Sequence, residues 1–178
     1  MTATEPLGLK HREVVVVPYD ARWPALFEAA SAELVDALGS SILAVHHVGS
    51  TSVPGLCAKP VLDLLVSVPD FDAAANLVPA IESIGYEFRP DEDIQDRHFL
   101  RRRVGAVRTH HLSLAEPTSR HHRVTVAFRD ALRREPQLAA SYADLKLALA
   151  QQFPYDRPAY LEGKSKFIGD VLALLTQV

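Results

Sequence analysis

Eighteen residues from His46 to Asp63 hold the densest chemistry in the chain: His-His-Val-Gly-Ser-Thr-Ser-Val-Pro-Gly-Leu-Cys-Ala-Lys-Pro-Val-Leu-Asp. They read as the end of a strand, a small-residue turn, a lysine, and a carboxylate on the next strand. Glycine lets backbone amides approach an anion closely, and Ser50, Thr51 and Ser52 add hydroxyl donors beside Gly49. Lys59 either supplies a point charge for phosphate or sits in a solvated turn before Pro60. Asp63 falls in an otherwise apolar strand, where a charge is costly unless paired or metal-bound. The combination suggests a phosphate site beside a metal-binding carboxylate. The same Gly/Ser/Thr/Pro composition also makes ordinary loops. No Gly-Lys-Ser/Thr opens a helix here, so this is not a Walker-type phosphate loop.

Other charged residues extend the candidate site. Lys164 lies on the apolar stripe of the last helical stretch, an unusual place for lysine. It either points toward the Asp63 pocket as a phosphate or carboxylate partner or snorkels out at a helix edge. Arg97, Arg101, Arg102, Arg103, Arg108 and Arg123 concentrate positive charge between 97 and 123. They form either a solvated hairpin face or a field that attracts a polyanion such as a nucleotide or an RNA end. Arg101 and Arg103 share one strand face and are expected to act together. The eight histidines include the pairs 46/47, 110/111 and 121/122. Adjacent strand residues point to opposite faces, and no His-x-His or His-Glu-x-x-His occurs, which argues against a zinc hydrolase. Arg129 and Asp130 read as an internal ion pair. Cys57, the single cysteine, has no evident base beside it and excludes both an intrachain disulfide and a four-thiolate metal site.

These residues must be positioned by 178 amino acids, 48% hydrophobic and 23% charged, with a formal net charge of −3. That length predicts a single domain with a core of its own, and the charge balance is not that of a duplex-DNA binder. Nothing from Met1 to Lys10 resembles an export signal, and no stretch approaches the ~20 apolar residues that span a bilayer, so the chain reads as cytoplasmic with no membrane partner. Residues 1–12 read as a flexible tail before one domain over 13–178, with a sheet core to about 116 and a helical portion over 119–177.

Residues 14–17 form a short strand or extended segment. Trp23, Leu26, Phe27, Ala30, Leu34 and Leu38 place a helix over 22–38, with Asp20 as its cap and Gly39 as its end. Strands follow at 42–48 and 61–68, then a helix at 70–84. A polar connection runs from Phe88 through 91–96 to strands at 98–104 and 107–114, which turn at Gly105. The period then becomes helical, over 119–134, 136–152 and 159–176. The expected class is α+β: a sheet core flanked by helices, with a helical C-terminal portion.

The run from Val45 to Val66 closely resembles the GrpB family, whose signature H-x-G-S-T-S-V-P-G-L-x-A-K-P-h-h-D-h, with h apolar, appears here as His46/His47 through Leu64. Tyr19-Asp20-x-x-Trp23-Pro24 resembles the family's opening, and Thr109-His110-His111-Leu112-Ser113 its H-L-H strand. Phe128-Arg129-Asp130-x-Leu132-Arg133, Tyr142-x-x-Leu145-Lys146 and Tyr160-x-x-x-Lys164-x-x-Phe167-Ile168 resemble its helices. The family looks like a branch of the nucleotidyltransferase superfamily of DNA polymerase β. That resemblance implies a mixed β-sheet flanked by helices, NTP as substrate, and a divalent metal, Mg²⁺ or Mn²⁺. Gly49, Ser50, Thr51 and Ser52 would then cradle phosphates with Lys59, Lys164, Arg101 and Arg103. Asp63 would be the catalytic and metal-binding carboxylate, and a nucleoside monophosphate would pass to an acceptor.

The superfamily places a second carboxylate two residues after the first, on the same strand face. Leu65 stands there, and the later strand offers His111 and Ser113 rather than an acid. Two outcomes follow. One metal is held by Asp63 with His111 or an acid from 91–96, and nitrogen ligation then favours Mn²⁺ or Zn²⁺ over Mg²⁺. Alternatively, transfer chemistry is lost and the domain is a non-catalytic nucleotide- or coenzyme A-related binding or accessory module, since related domains occur fused to dephospho-coenzyme A kinase.

Overall fold

Both faces of the segment around Leu64 are apolar, which suits a central strand, and that is its place. The computed structural model describes residues 7–10, 13–92 and 95–175. Its elements in chain order are α1 (Trp23–Leu38), β1 (Ala44–Val48), β2 (Leu62–Ser67), α2 (Phe71–Ala74), α3 (Val78–Ser83), β3 (Tyr86–Phe88), β4 (His98–Val104), β5 (Val107–Ala115), α4 (Arg120–Arg134), α5 (Pro136–Gln152) and α6 (Arg157–Leu175). The strands form one mixed sheet in the order β1-β2-β5-β4-β3. Among the described residues, only the β2–β5 pair is parallel. The α+β class, the five-stranded sheet flanked by helices and the helical C-terminal portion are therefore as expected.

One face of the sheet is the main core. Leu62, Leu64 and Val66 pack there with Trp23, Phe27, Leu34 and Leu38 of α1 and Ile81 of α3. The other face carries Asp63, Leu65 and Ser67, because successive side chains alternate across a strand. Leu65 is sealed with Val48 and Ala115 beneath Val126 of α4. Burying such a leucine contributes roughly 1.5–3 kcal/mol. Helices α4 to α6 form a second layer whose own cluster joins Leu132 and Tyr142 to Val53 and Leu56 of the loop before β2.

Several local expectations change. Asp20 does not cap α1 with its side chain. Its carboxylate instead takes the Arg22 guanidinium at 2.6 Å. The helix expected over 70–84 is broken into α2, a tight turn at Ala75–Leu77, and α3. Pro79 has no N–H for the helical ladder and is tolerated only in a first turn, so a new helix begins around it. The short edge strand β3 was not foreseen. Residues 14–17 are extended and add only the Val17–Ala58 bridge. Within the expected tail, the Leu9 N–H donates to the Arg108 carbonyl at 3.0 Å and Leu9 is buried, whereas residues 1–6 and 11–12 lie outside the described residues. So does Thr176, the expected end of the last helix. Among the described residues, no helix is long and apolar enough to cross a membrane.

Close packing of α5 on α6 depends on Gly163. A Cβ there would overlap one methyl of Leu149 and come within 3.0 Å of the other, whereas a Cβ on Gly169 meets nothing within 4 Å. Gly163→Val is therefore expected to destabilise the fold by about 1–3 kcal/mol through overpacking. Gly169→Ala should stabilise it by up to about 1 kcal/mol through helix propensity. Urea melts of the two variants check the contrast, and equal midpoints would refute it.

Candidate functional site

Parallel pairing of β2 with β5 sets Asp63 opposite His111, and β4 continues the row with Arg101. Partners in register share a sheet face, so Asp63 and His111 stand side by side beneath the helical layer. The His111 Nδ1–H donates to Asp63 Oδ1 at 3.0 Å. Burial pushes the Asp63 carboxyl up, but the hydrogen bond and charge of His111, with the charges of Lys59 and Lys164, outweigh it and hold the group below its ordinary value. Asp63 is thus ionised. It lies deep in the protein, yet 39% of its side-chain surface is accessible because a cavity opens above it.

That cavity has a volume of about 320 Å³. Its floor is the sheet and the loop after β1; its walls are α4, α5 and α6. A second cavity of about 540 Å³ adjoins it, sharing Gly49, Asp63, His111, Thr125, Arg157 and Leu161. Helical spacing explains the wall: Arg157, Tyr160, Lys164 and Ile168 recur on one stripe of α6, and Tyr142 and Lys146 lie one turn apart on α5.

The loop is held at both ends. Gly49 has φ +70°, and a Cβ there would overlap an Asp63 carboxylate oxygen and lie 2.9 Å from Cγ. Glycine is required here both for the backbone conformation and for the approach of the loop to the carboxylate. Ser52 donates its hydroxyl to the Gly49 carbonyl at 2.6 Å, and Thr51 pairs with His47 at 3.0 Å. From α4, Arg133 grips the Ser52 carbonyl with two donors at 3.0 and 2.8 Å, and Arg129 donates to the His47 carbonyl at 3.1 Å.

Electrostatically the cavity is cationic. Burial pushes the Lys59 ammonium down to about 7, with Lys164 adding to the fall and Asp63 opposing it. Burial also brings Lys164 down to about 8, opposed by Asp63 and aided by Arg157. Both lysines lie over the Tyr160 ring, at 5.1 and 4.7 Å. Lys146 is 2% exposed, is lowered to about 8 chiefly by burial, and donates to the Cys57 carbonyl. Arg157 Nε is buried without a hydrogen-bond partner among the described residues.

These shifts have a pH consequence. Each lysine binds its proton more weakly in the folded protein than in the unfolded chain, where the ordinary value is 10.5. Between pH about 7 and 10.5 the unfolded chain holds more protons, so stability rises with pH. The melting temperature of the ligand-free protein is expected to climb from pH 7.5 to 9.5, below the range where Tyr142 and Tyr160 ionise. Lys59→Met/Lys164→Met should flatten the climb, and an identical slope in the variant would refute this origin.

The sequence-expected residues divide. Gly49, Ser50, Thr51, Lys59, Asp63, His111 and Lys164 all line the cavity. Ser52 does not, its hydroxyl being spent within the loop. Arg101 pairs with Glu87 at 3.0 Å and with Glu92 at 3.9 Å, while Arg103 is exposed and donates to the Ala106 carbonyl at 3.4 Å. Neither arginine lines the cavity, and a register shift between Arg102 and Arg103 interrupts the ladder, so the two do not act together. The additional lining residues include Arg157, which follows Pro154 and lacks any periodic signal, and Lys146, whose place on the apolar stripe of its helix parallels that of Lys164.

The donors around Asp63 are few for a divalent ion. Among the described residues, no three His, Cys, Asp or Glu side chains converge. Leu65, where a second carboxylate would stand, is sealed under α4. Of the acids at 91–96, Glu92 lines the second cavity but is taken by Arg89 and Arg101 at 3.7 and 3.9 Å, Asp91 pairs with Arg89 at 2.7 Å, Asp96 accepts the His121 N–H at 2.8 Å, and Asp93 lies outside the described residues. The remaining pair, Asp63 and His111, is joined by a proton rather than spaced around an ion, and the lysine charges act on it. This donor set does not fit a metal bridging phosphates.

Comparison with known proteins agrees on ancestry. A UPF0157 protein of Pseudomonas aeruginosa is 38% identical over 162 residues, covering 89% of this chain and 66% of that protein. A protein named dephospho-CoA kinase from Mycolicibacterium paratuberculosis is 29% identical over 185 residues, covering 88% of this chain and 44% of that protein. The chain thus spans less than two thirds of the length of these two relatives. The crystal structure of conserved protein GrpB from Enterococcus faecalis superposes with a TM-score of 0.81 at 35% identity, covering 88% of this chain and 94% of that one. The family model described as GrpB protein matches residues 13–174, nearly the whole chain, which therefore belongs to the GrpB family.

Proposed function

We propose that this domain binds a phosphorylated small molecule, a nucleotide or coenzyme A-type ligand, and serves as a binding or accessory module. The observation that carries this reading is a cavity lined by Lys59, Lys164 and Arg157 together with one carboxylate, Asp63. Ammonium and guanidinium groups are the natural partners of phosphate oxygens. Likeness to a protein named dephospho-CoA kinase makes coenzyme A and dephospho-coenzyme A the first ligands to try, with ATP and GTP beside them. Calorimetry on the full chain is expected to show binding of at least one of the four, weakened tenfold or more in Lys164→Met. Absence of heat from all four would overturn the reading.

Transfer of a nucleoside monophosphate from an NTP, the other expectation, requires Asp63 to hold Mg²⁺ or Mn²⁺. Incubation with labelled NTP and either ion should give the same background in wild type and Asp63→Ala. Label transfer that depends on Asp63 would restore the transferase.

A further inference from the structure

We propose that the cavity takes a pyrophosphate group, or a polyanion of similar charge, without any divalent ion, and that the ammonium groups of Lys59 and Lys164 supply the neutralising charge. This inference rests on the anion-binding reading above and specifies it. Three observations support it. First, Asp63 Oδ1 is already engaged by the His111 N–H, and its neighbours on the same face supply no second carboxylate: Leu65 lies under α4, Ser113 stands opposite Leu65, and Arg101 is paired with Glu87. Asp63 acts as a counter-charge that holds cations in the cavity. Second, the charge is unbalanced. Arg129 is neutralised by Asp130 at 2.7 Å, whereas Lys146 gives one donor to the Cys57 carbonyl and keeps its charge. Lys59, Lys146, Lys164 and Arg157 share the first cavity with one further carboxylate, Asp63, and Glu92 of the adjoining cavity is taken by Arg89 and Arg101 at 3.7 and 3.9 Å, leaving a positive excess that a monoanion would not match and a diphosphate would. Third, Arg157 Nε is buried with no acceptor among the described residues, while its position lines both cavities. A buried guanidinium donor without an acceptor is costly, and a phosphate oxygen at the junction of the cavities would supply one.

Inorganic pyrophosphate is the probe, titrated calorimetrically into the full chain in EDTA and again in excess Mg²⁺. Binding is expected in EDTA, at least tenfold tighter than that of inorganic phosphate. Mg²⁺ should weaken it, since the ion competes with the lysines for the same oxygens. Lys164→Met and Arg157→Met should each lose tenfold or more, with circular dichroism confirming the fold. Asp63→Asn is decisive: with the counter-charge removed, pyrophosphate should bind as well or severalfold tighter. Binding that appears only with Mg²⁺, or that Asp63→Asn abolishes, would overturn the metal-free site and leave the anion-binding reading standing. No heat from pyrophosphate in either buffer, with heat from coenzyme A or a nucleotide, also overturns this inference; silence from every ligand removes both.

Discussion

Lys59→Met/Lys164→Met is expected to be more stable than the wild type at pH 7 while losing roughly 100-fold or more of its affinity for a phosphorylated ligand. The two effects have one cause. Each ammonium is drawn out of water beside the other, as their lowered values of about 7 and 8 record, and one carboxylate does not compensate both. Methionine keeps the volume and the contact with Tyr160 while removing the charge. Relief of two buried like charges should contribute about 1–3 kcal/mol, the scale on which apolar replacement of buried ions stabilises proteins. The affinity loss follows from two charge-assisted hydrogen bonds at about 1.5–3 kcal/mol each. Chemical denaturation and calorimetry on the same preparation measure both. A destabilised variant with unchanged affinity would show that the lysines are structural and that the ligand binds elsewhere.

Gly49→Ala should instead lower stability and binding together. The new methyl would overlap the Asp63 carboxylate and must be carried at φ +70°, where an L-residue is strained by roughly 1–2 kcal/mol. Adding the displacement of Asp63 from His111, the expected loss is about 2–4 kcal/mol, with affinity reduced tenfold or more as the loop lifts from the floor. Gly55→Ala is the matched control. It also has positive φ, at +78°, but a Cβ there meets nothing within 4 Å, so it should carry the strain alone and leave binding unchanged. Equal damage from both substitutions would mean that only backbone conformation matters at Gly49.

Much of this arrangement was legible before any coordinates. Alternating Leu62, Leu64, Val66 and Val68 announced a strand with a buried face, and the odd aspartate within it announced the site, because a lone charge in an apolar strand needs a partner. Lys164 was visible by the same logic on a helix. What was hidden was hidden for physical reasons. Arg157 sits at the first turn of a helix, where no period has yet been established. Arg101 was misjudged because its neutralising partner Glu87 belongs to β3, a three-residue strand too short to show alternation. The break in the 70–84 helix comes from Pro79, which is ambiguous in sequence because proline suits the start of a helix as well as its interruption. His111 is expected to share a metal with Asp63, and only the strand register reveals that the two are in direct hydrogen-bond contact.

The floor and the wall of the cavity come from distant parts of the chain: Gly49 and Lys59 precede β2, while Arg157 and Lys164 belong to α6. About a hundred residues of sequence lie between them, so neither half can hold an anion by itself. A guest molecule would consequently act as a clasp, tightening the last helix onto the sheet and slowing its peeling away. Resistance of α6 to proteolysis would then track ligand concentration, making occupancy readable from the outside of the molecule.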